Sequence, residues 1–470
     1  MENFYEYDEQ FRDTIGTVDE KGKRIWVYPK KPKGRFYNKR AIVATILLGL
    51  LFSGPFIKIG GQPLLLFNFF ERKFVLFGIP FWPQDFYLFG LATITFFVFI
   101  ILFTVVYGRI WCGWACPQTI FMEMVFRRIE YWIDGDANQQ IKLKNGPWNT
   151  EKIFKRLLKY TIYMAISILI AHTLMAYLVG IEEVKEIVTS SPFDNWSGFL
   201  GMVFFSGIFF WVFAYFREQA CIAVCPYGRL QGVLLNKDSM GVSYDFKRGE
   251  PRGKINKDGI NAEKGDCVDC KLCVHVCPTG IDIRNGTQLE CVNCTACMDV
   301  CDDVMTKVNR PKGLIRISSY NDIVEGTKRI FTTRVFGYSV VLTTLILALT
   351  ILMFSRSEID ATALRVPGQL YQKTEKGDIQ NLINILFINK TFDPVTLEVK
   401  VRDMPRAMIT QVGQSVIQIG SNSTYEAVFF VSIPKEDLHD AKTPIIIDVF
   451  KDGKVVETTK TNFLGPFNLK

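Results

Sequence analysis

The chain has 470 residues, 49% of them hydrophobic, and 39 are phenylalanine. This length predicts two or three domains, and the composition is too apolar for a purely soluble protein. The formal net charge is +8, but the basic residues flank apolar stretches without interleaved aromatic residues, which excludes nucleic acid as an expected partner.

Five apolar stretches predict membrane-spanning helices after a charged tail of residues 1–40. A cleaved signal peptide is not expected, because this long charged tail precedes the first apolar stretch. The predicted spans are Ala41–Ile57, Phe86–Tyr107, Tyr160–Gly180, Gly198–Phe216 and Val335–Phe354.

The distribution of Lys and Arg between these spans predicts their orientation. There are ten in residues 1–40, three in 58–85, nine in 108–159 and one in 181–197. By the positive-inside rule, the more basic segments face the cytoplasm. We therefore expect the N-terminus and residues 217–334 in the cytoplasm, and residues 356–470 on the opposite side of the membrane.

Two C-x3-C-P sequences form an internal repeat. Cys112 and Cys116 follow the second span, and Cys221 and Cys225 follow the fourth. Each motif ends a pair of predicted spans, so the two pairs form similar membrane hairpins. We therefore expect the four thiols to meet at the cytoplasmic mouth of the membrane bundle. The proline after each second cysteine favours the first position of a helix. Cys116 and Cys225 are therefore predicted helix N-caps, where the helix dipole lowers a thiol's pKa.

The sequence leaves the role of these four cysteines open. They could bind copper, shuttle electrons by opening and closing disulfides, or hold a third iron-sulfur cluster. The structural alternative is packing, since a free cysteine behaves as a small hydrophobe. Arg109 and Arg217 precede the two motifs and would favour thiolates. Met122 and Met124 are near enough in sequence to assist a copper site, although methionines on an apolar helix more often pack in the core.

Eight further cysteines form the sequence C-x2-C-x2-C-x3-C twice, which is the bacterial pattern for two [4Fe-4S] clusters. In that pattern the fourth cysteine of each run binds the cluster of the other run. The ligands predicted for the first cluster are Cys267, Cys270, Cys273 and Cys301. Those predicted for the second are Cys277, Cys291, Cys294 and Cys297.

Zinc sites and disulfides are the alternatives for these eight cysteines. Four-thiolate zinc sites usually have two C-x2-C pairs separated by a longer spacer. The expected cytoplasmic location disfavours disulfides. Pro278 follows the first run as the cluster pattern requires, but Asp302 occupies the equivalent place after the second run. The sequence therefore defines the turn of the second loop less well than that of the first.

The C-terminal region has a strand-like pattern. Asp452-Gly453 is a strong hairpin signal between two of the predicted strands. A small Ig-like β-sandwich with a packing or docking role is expected. The predicted strands are Leu382–Ile388, Val395–Val401, Tyr425–Ile433, Ile445–Phe450 and Val455–Thr459.

Together these features predict a multi-domain membrane protein. It combines an α-helical bundle of about five spans with a cytoplasmic two-cluster ferredoxin insert and a C-terminal β-sandwich. The predicted segments are a basic tail (1–40), membrane hairpins with two C-x3-C-P motifs (41–235), a ferredoxin-like domain (236–330), a final transmembrane helix (331–356) and a β-sandwich (357–470).

This arrangement resembles the CcoG family of cytochrome c oxidase accessory proteins, also called the FixG or RdxA family. The most specific elements are Trp111–Gln118, Cys221–Gly228, the paired cluster runs, and the sequence 313–316 followed by Tyr320. The resemblance implies a bacterial inner-membrane protein whose C-terminal domain is periplasmic. It also implies assembly of the cbb-type oxidase through reduction of Cu(II) to Cu(I), with Cys112, Cys116, Cys221 and Cys225 as the copper-handling site.

The expected partners are the membrane, copper ion, copper-handling proteins, oxidase assembly factors and an unidentified electron donor, and homo-oligomerisation stays open. Two alternatives to cupric reduction remain. One is a quinol-oxidising electron-transfer subunit of the polyferredoxin type. The other is a copper chaperone or assembly scaffold without redox activity.

Overall fold

A computed structural model describes most of the chain. The described residues are 17, 21, 23–69, 73–82, 85–254, 264–366, 368, 370–374, 377–391, 393–413, 416–438 and 440–466. Most of residues 1–22, in the predicted basic tail, and residues 467–470, in the predicted β-sandwich, lie outside the described residues. Two compact units are present, one built mainly from residues before Leu347 and the other mainly from Ala348 onward, with residues 58–62 and 74–84 in the second unit.

The five predicted spans are confirmed as helices that are long and apolar enough to cross a membrane. The third begins ten residues earlier than predicted, because its first turns carry lysines with polar partners: Lys152 Nζ donates to the carbonyls of Lys144 and Gly146 at 2.9 and 2.7 Å. The spans are Arg35–Phe56, Phe86–Tyr107, Thr150–Val179, Trp196–Phe216 and Thr333–Phe354.

Short helices follow the second and fourth spans and connect the other elements of the first unit. Three stretches of five or six residues have π-helical hydrogen bonding, which is frequent at functional sites. They are Phe121–Phe126, Val212–Phe216 and Ala220–Val224. The short α-helices of this unit are Ile110–Trp114, Pro117–Ile120, Arg127–Ile133, Ala137–Asn145, Ile181–Thr189, Pro226–Leu234, Phe246–Gly249, Leu272–His275, Ala296–Lys307 and Tyr320–Glu325.

The ferredoxin-like segment is held together by a two-stranded antiparallel sheet. Gly241–Tyr244 pairs with Ile315–Ser318, so the residues just before and just after the cluster runs are joined. Met305, Leu314 and Ile315 are almost fully buried beneath this sheet. The sheet thereby closes the segment that carries the eight ferredoxin-type cysteines.

The second unit contains the predicted Ig-like β-sandwich. One sheet has the strand order Met408–Gln411, Thr424–Ile433, Ile379–Asn389, Ile359–Arg365, with Gln372–Lys373 also paired to the third of these strands. The other has the order Ile417–Ile419, Val395–Val401, Lys442–Lys451, Lys454–Leu464.

Alternating side chains of the two sheets meet in one apolar core. Phe387, Phe429 and Phe463 are fully buried there, as expected for strands with one inward-facing side. The predicted hairpin is present, with Asp452 at φ 50° and Gly453 at φ 76°.

Several strands of the chain were not predicted: Lys58–Ile59, Gln62–Pro63, Leu65–Asn68, Lys73–Leu76, Ile79–Phe81, Ile359–Arg365, Gln372–Lys373, Met408–Gln411 and Ile417–Ile419.

Candidate functional site

The two C-x3-C-P motifs begin at turns with the same backbone conformation. Gly108 has φ 57° and ψ −130°, and Arg217 has φ 54° and ψ −125°. Each turn lies four residues before the first cysteine of its motif, so the internal repeat extends to the backbone. The counterpart of Arg217 is therefore Gly108 and not Arg109, as the sequence suggested. An L-residue at this φ is strained, which indicates that side-chain contacts hold Arg217 in place.

The second cysteine of each motif is a helix N-cap, as predicted. Cys116 and Cys225 both have extended backbones, and the prolines that follow them occupy the first helical turn. The helix that begins at Pro117 changes from α to π geometry at Phe121 and returns to α at Arg127. This irregularity widens the helix beside the motif.

The structure brings the four C-x3-C-P cysteines into one electrostatic environment. Burial raises the pKa of Cys112, against the lowering influence of Arg109 and a hydrogen bond from Gln231, and the charges of Cys116 and Cys225 add to the rise. Burial also raises the pKa of Cys221 to about 12, and Cys116 contributes. Desolvation therefore dominates at the first cysteine of each motif.

These four thiols are grouped without forming a tight set of ligands. Across the part of the chain that the structure describes, no three His, Cys, Asp or Glu side chains converge as ligands of one metal ion. A single copper ion would require some of the thiols to move inward. A small cavity beside Cys221, the Cys221 cavity, is also lined by Thr119, Met122 and Arg217. Met124 instead packs in the core with Ala44 and Ile120.

Arg109 connects both hairpins to the cluster-binding segment. Its side chain is buried and donates to the Gln231 side chain, to the Gly228 carbonyl at 2.9 Å and to the Cys291 carbonyl at 3.5 Å. The Gln231 amide nitrogen in turn lies 3.5 Å from Cys112 Sγ. Arg109 is thus a positioning residue between the membrane mouth and the second predicted cluster.

The eight ferredoxin-type cysteines line two separate cavities. One encloses about 370 Å³ of space not filled by atoms and is lined by Cys267, Cys270, Cys273 and Cys301. The other encloses about 350 Å³ and is lined by Cys277, Cys291, Cys294 and Cys297, with Cys273 at its edge. The fourth cysteine of each run has crossed to the other cavity, as the two-cluster pattern requires.

The two loops that carry the C-x2-C-x2-C sequences have the same twist. Asp269 and Lys271 flank the second cysteine of the first loop, and Asn293 and Thr295 flank that of the second. All four have positive φ, between 51° and 64°. Residues with left-handed backbone conformation alternate with the cysteines, so each loop curls around its cavity and its backbone N–H groups point inward. Inward N–H groups suit a cluster that carries negative charge.

Asp302 replaces the expected proline without disturbing the crossing. The helix Ala296–Lys307 continues through it, and its side chain accepts a hydrogen bond from the Gly313 backbone N–H at 2.8 Å. Cys297 and Cys301 therefore lie one helical turn apart and face different cavities. The first loop differs, because Pro278 lies beyond the short helix Leu272–His275.

The chemistry of the two cavities fits iron-sulfur clusters. Burial raises the pKa of Cys273, Cys291 and Cys301 to about 12 and that of Cys294 to about 11. Four buried thiolates are tolerated only beside compensating positive charge, which the iron of a cluster supplies when bound. The cysteine sets named above would hold the two clusters.

One layer of residues separates the second cluster cavity from the cavity at Cys221. Pro278, Thr279 and Val292 line both. The Thr279 hydroxyl lies 3.3 Å from Cys277 Sγ, a predicted cluster ligand. The second cluster cavity and the cavity at Cys221 are therefore neighbours across a thin wall.

The first hairpin also packs directly on the second cluster loop. A Cβ atom at Gly113 would lie 2.5 Å from the Val292 carbonyl oxygen and 2.9 Å from the Asn293 carbonyl carbon and oxygen. Only glycine permits this approach of two backbones. No signal in the sequence predicts this contact, because residues 113 and 292 belong to motifs far apart along the chain.

Loss of Cys277 should remove the second cluster and leave the first. In Cys277→Ser, we expect iron content to fall by about half and the remaining EPR signal to match that of a Cys291→Ser variant, because both residues line one cavity. Cys301→Ser is the control and should spare the second cluster. The crossing is wrong if Cys277→Ser instead resembles Cys267→Ser.

These features define a membrane protein that carries iron-sulfur sites for electron transfer. The chain matches the family descriptions "4Fe-4S dicluster domain" over residues 216–320, "4Fe-4S binding domain" over 89–136 and "IG-like fold at C-terminal of FixG" over 349–466.

Similar proteins extend this to nearly the whole chain. RdxB from Cereibacter sphaeroides is 32% identical, with 86% of this chain and 87% of RdxB covered, and RdxA from the same organism is 32% identical, with 78% and 80% covered. FixG from Rhizobium meliloti is 29% identical, with 89% and 88% covered. The chain belongs to the FixG/RdxA family.

Proposed function

We propose that this protein reduces Cu(II) to Cu(I) and supplies the cuprous ion for assembly of a cbb-type cytochrome oxidase. The observation that carries the proposal is the shared wall of Pro278, Thr279 and Val292 between the second cluster cavity and the Cys221 cavity. Centres separated by one layer of residues can exchange electrons without a mobile carrier. Cys112, Cys116, Cys221 and Cys225 are the proposed site at which copper is reduced.

Solvent exposure gives the two cluster sites different positions in the electron path. Cys270, in the first cavity, is exposed to solvent, whereas Cys277, Cys291, Cys294 and Cys297 in the second cavity are all at least partly buried. Cys273 lines both cavities. Electrons would enter at the first site from a donor protein or membrane donor, pass to the second site and reach the C-x3-C-P thiols.

The copper site offers ligands suited to the product. When bound, the clusters supply one-electron chemistry at low potential. Each cupric ion takes up one electron and becomes cuprous. A protein whose two clusters are both reduced can therefore reduce two cupric ions before it needs further electrons from its donor. Thiolate and thioether sulfur stabilise Cu(I) over Cu(II). The thioether of Met122 lines the same cavity as Cys221 and is a candidate further ligand.

The proposal includes a location and partners. The N-terminus and cluster sites would lie in the cytoplasm of a bacterial cell and the β-sandwich in the periplasm, as the Lys and Arg distribution predicts. Copper-handling proteins and oxidase assembly factors would receive the cuprous ion. Labelling of single cysteines introduced at position 21 and in the β-sandwich, in intact and opened cells, tests this orientation.

The experiment that tests cupric reduction changes all four C-x3-C-P cysteines to serine. The purified full-length protein is reduced chemically without oxygen, Cu(II) is added, and Cu(I) formation is followed with a cuprous-specific chelator. We expect both clusters to assemble and to be reducible, but cupric reduction to fall by at least about 100-fold, as for loss of a residue that contacts the reacting centre.

The control and the contrary outcomes separate the alternatives. Cys270→Ser should lose the first cluster while the C-x3-C-P thiols stay intact, so chemically reduced protein should still reduce copper through the second cluster. Unchanged cupric reduction in the fourfold serine variant would exclude these thiols. Equal copper delivery by oxidised and reduced protein would instead identify a chaperone without redox activity.

A second role for the same cysteines is supported by the comparison. The description "4Fe-4S binding domain" covers residues 89–136, which contain Cys112 and Cys116, and the thiols are not drawn together around one ion. In this alternative the four cysteines hold a third cluster, which would reduce copper at its edge. About twelve iron atoms per chain, falling to about eight in the fourfold serine variant, would establish it.

A further inference from the structure

A second large cavity lies beside the start of the third span. It encloses about 1090 Å³ of space not filled by atoms, part of it open to solvent. Its walls come from the N-terminal segment at Trp26 and Tyr28, from the helices 127–133 and 137–145, and from the first turns of Thr150–Val179. It contains none of the twelve cysteines and has no part in the electron path described above.

The charges that line this cavity are unbalanced. Lys159 pairs with Asp134, and Arg217 pairs with Glu130 at 2.9 Å, so these four residues neutralise one another. Three further cations line the cavity: Lys144, Lys152 and Arg156.

None of these three cations has a neutralising partner. Among residues 23–69, 85–254 and the other described parts of the chain, no carboxylate forms an ion pair with any of them. Lys144 and Lys152 lie over the rings of Tyr28 and Trp148 at 5.6 and 5.0 Å. The buried Lys152 ammonium also donates to two backbone carbonyls, which are polar but do not neutralise its charge. The cavity therefore has a surplus of positive charge directed at one space, which is the pattern of a site for an anion with several acceptor oxygens.

The surface next to the cavity is apolar. Ile153, Phe154 and Leu157 are 54%, 64% and 65% exposed, and they alternate with the cavity-lining cations on the first turns of a span. Trp148 is 73% exposed at the same level. Exposed aromatic residues at the end of a span are typical of the membrane interface. A ligand in this cavity would contact cations on one side and, on the other, an apolar surface that lipid acyl chains can reach.

We propose that this cavity binds the phosphate headgroup of an anionic phospholipid, with the acyl chains against Ile153, Phe154 and Leu157. Lys144 and Arg156 would bind the phosphate, the buried charge of Lys152 would add to the attraction, and Trp26 and Trp148 would flank the headgroup. Basic residues at the cytoplasmic end of a span attract anionic lipid. Since Arg217 lies both in this cavity and at the Cys221 cavity, the bound lipid would also steady the turn that precedes the second C-x3-C-P motif.

The test compares lipid bound by the full-length protein in nanodiscs of phosphatidylcholine with and without phosphatidylglycerol. Native mass spectrometry after detergent release counts the phosphatidylglycerol that stays bound. We expect Arg156→Gln to reduce the amount of bound phosphatidylglycerol roughly fivefold. The double variant Lys144→Gln/Arg156→Gln should reduce it about 25-fold, because each cation near the membrane surface contributes about 1 kcal/mol. Unchanged cluster absorption in each variant would show that the fold is intact.

Lys155→Gln is the matched control, because it removes one positive charge from the neighbouring residue. Lys155 pairs with Glu151 on the exposed side of the helix and does not line the cavity. Equal losses in Lys155→Gln and Arg156→Gln would overturn the proposal, since they would reflect net charge alone. Displacement of the lipid by millimolar inorganic phosphate would also overturn it, because the site would then serve a soluble phosphate compound.

Discussion

Replacing Gly113 by alanine is expected to slow electron delivery from the clusters to copper several-fold, while both clusters still assemble. The added Cβ would lie 2.5 Å from the Val292 carbonyl oxygen, and neither backbone can turn aside without moving its cysteines. The hairpin would have to move away from the second cluster loop, and electron transfer slows several-fold for each added ångström because its rate falls exponentially with the distance between the centres. Stopped-flow measurement of cluster re-oxidation by Cu(II) gives this rate directly.

A glycine elsewhere in the membrane bundle provides the control. Gly201 lies within Trp196–Trp211, and a Cβ at that position meets nothing within 4 Å. Gly201→Ala should therefore re-oxidise at the wild-type rate. Alanine also favours helix over glycine by up to about 1 kcal/mol, so a loss specific to Gly113→Ala cannot come from weaker helix formation. Equal rates in the two variants would mean that electrons do not pass through this contact.

The sequence predicts the parts of this protein whose structure depends on local pattern. Apolar length determines the spans, and residue spacing determines which cysteines share a cavity, so Cys277 and Cys301 could be assigned to the opposite cluster sites. The N-caps at Cys116 and Cys225 follow from the proline after each cysteine. In all these cases one short segment contains the whole signal.

The contacts between segments could not be predicted in the same way. Gly113 and Val292, or Arg109 and Cys291, meet only because the ferredoxin-like segment packs on the membrane mouth. Gly113 carries no signal of its own beyond being glycine between two motif residues. The structural equivalence of Gly108 and Arg217 could not be predicted from the sequence either. Glycine is the residue that a positive φ favours, whereas Arg217 is held at its positive φ by ion pairs.

The same tertiary packing explains where local prediction fails. The third span was predicted to begin at Tyr160 because Lys152 and Lys159 interrupt the apolar pattern before it. In the structure both lysines are buried and paired, one with backbone carbonyls and one with Asp134. A charge that would end a span in lipid is acceptable where the protein supplies its partner.

Replacing Glu130 by glutamine is expected to destabilise the first unit by about 3 to 5 kcal/mol. Glu130 is buried and pairs with Arg217 at 2.9 Å, and Lys159 lies 3.8 Å away. Removing its charge leaves buried cations without their counter-ion, which is more costly than losing the pair altogether. The strained turn at Arg217 would lose the contact that holds it, so we also expect slower cupric reduction. Thermal unfolding of the purified protein, followed by cluster absorption, measures the first effect.

The pH dependence of this loss identifies its cause. Burial alone raises the pKa of Glu130, but Arg217, Lys159 and Arg127 together hold it below the ordinary value of 4.5. A carboxyl group with a lowered pKa stabilises the fold above its unfolded pKa, and this stabilisation is lost as the pH falls through the folded pKa. The difference in Tm between wild type and Glu130→Gln should therefore be complete at pH 7 and shrink below about pH 4.5. Glu151→Gln is the control, because it removes a carboxylate from the exposed pair with Lys155, and it should change Tm little at any pH. An equally small change of Tm in Glu130→Gln would show that the buried ion pairs of Glu130 do not stabilise the first unit.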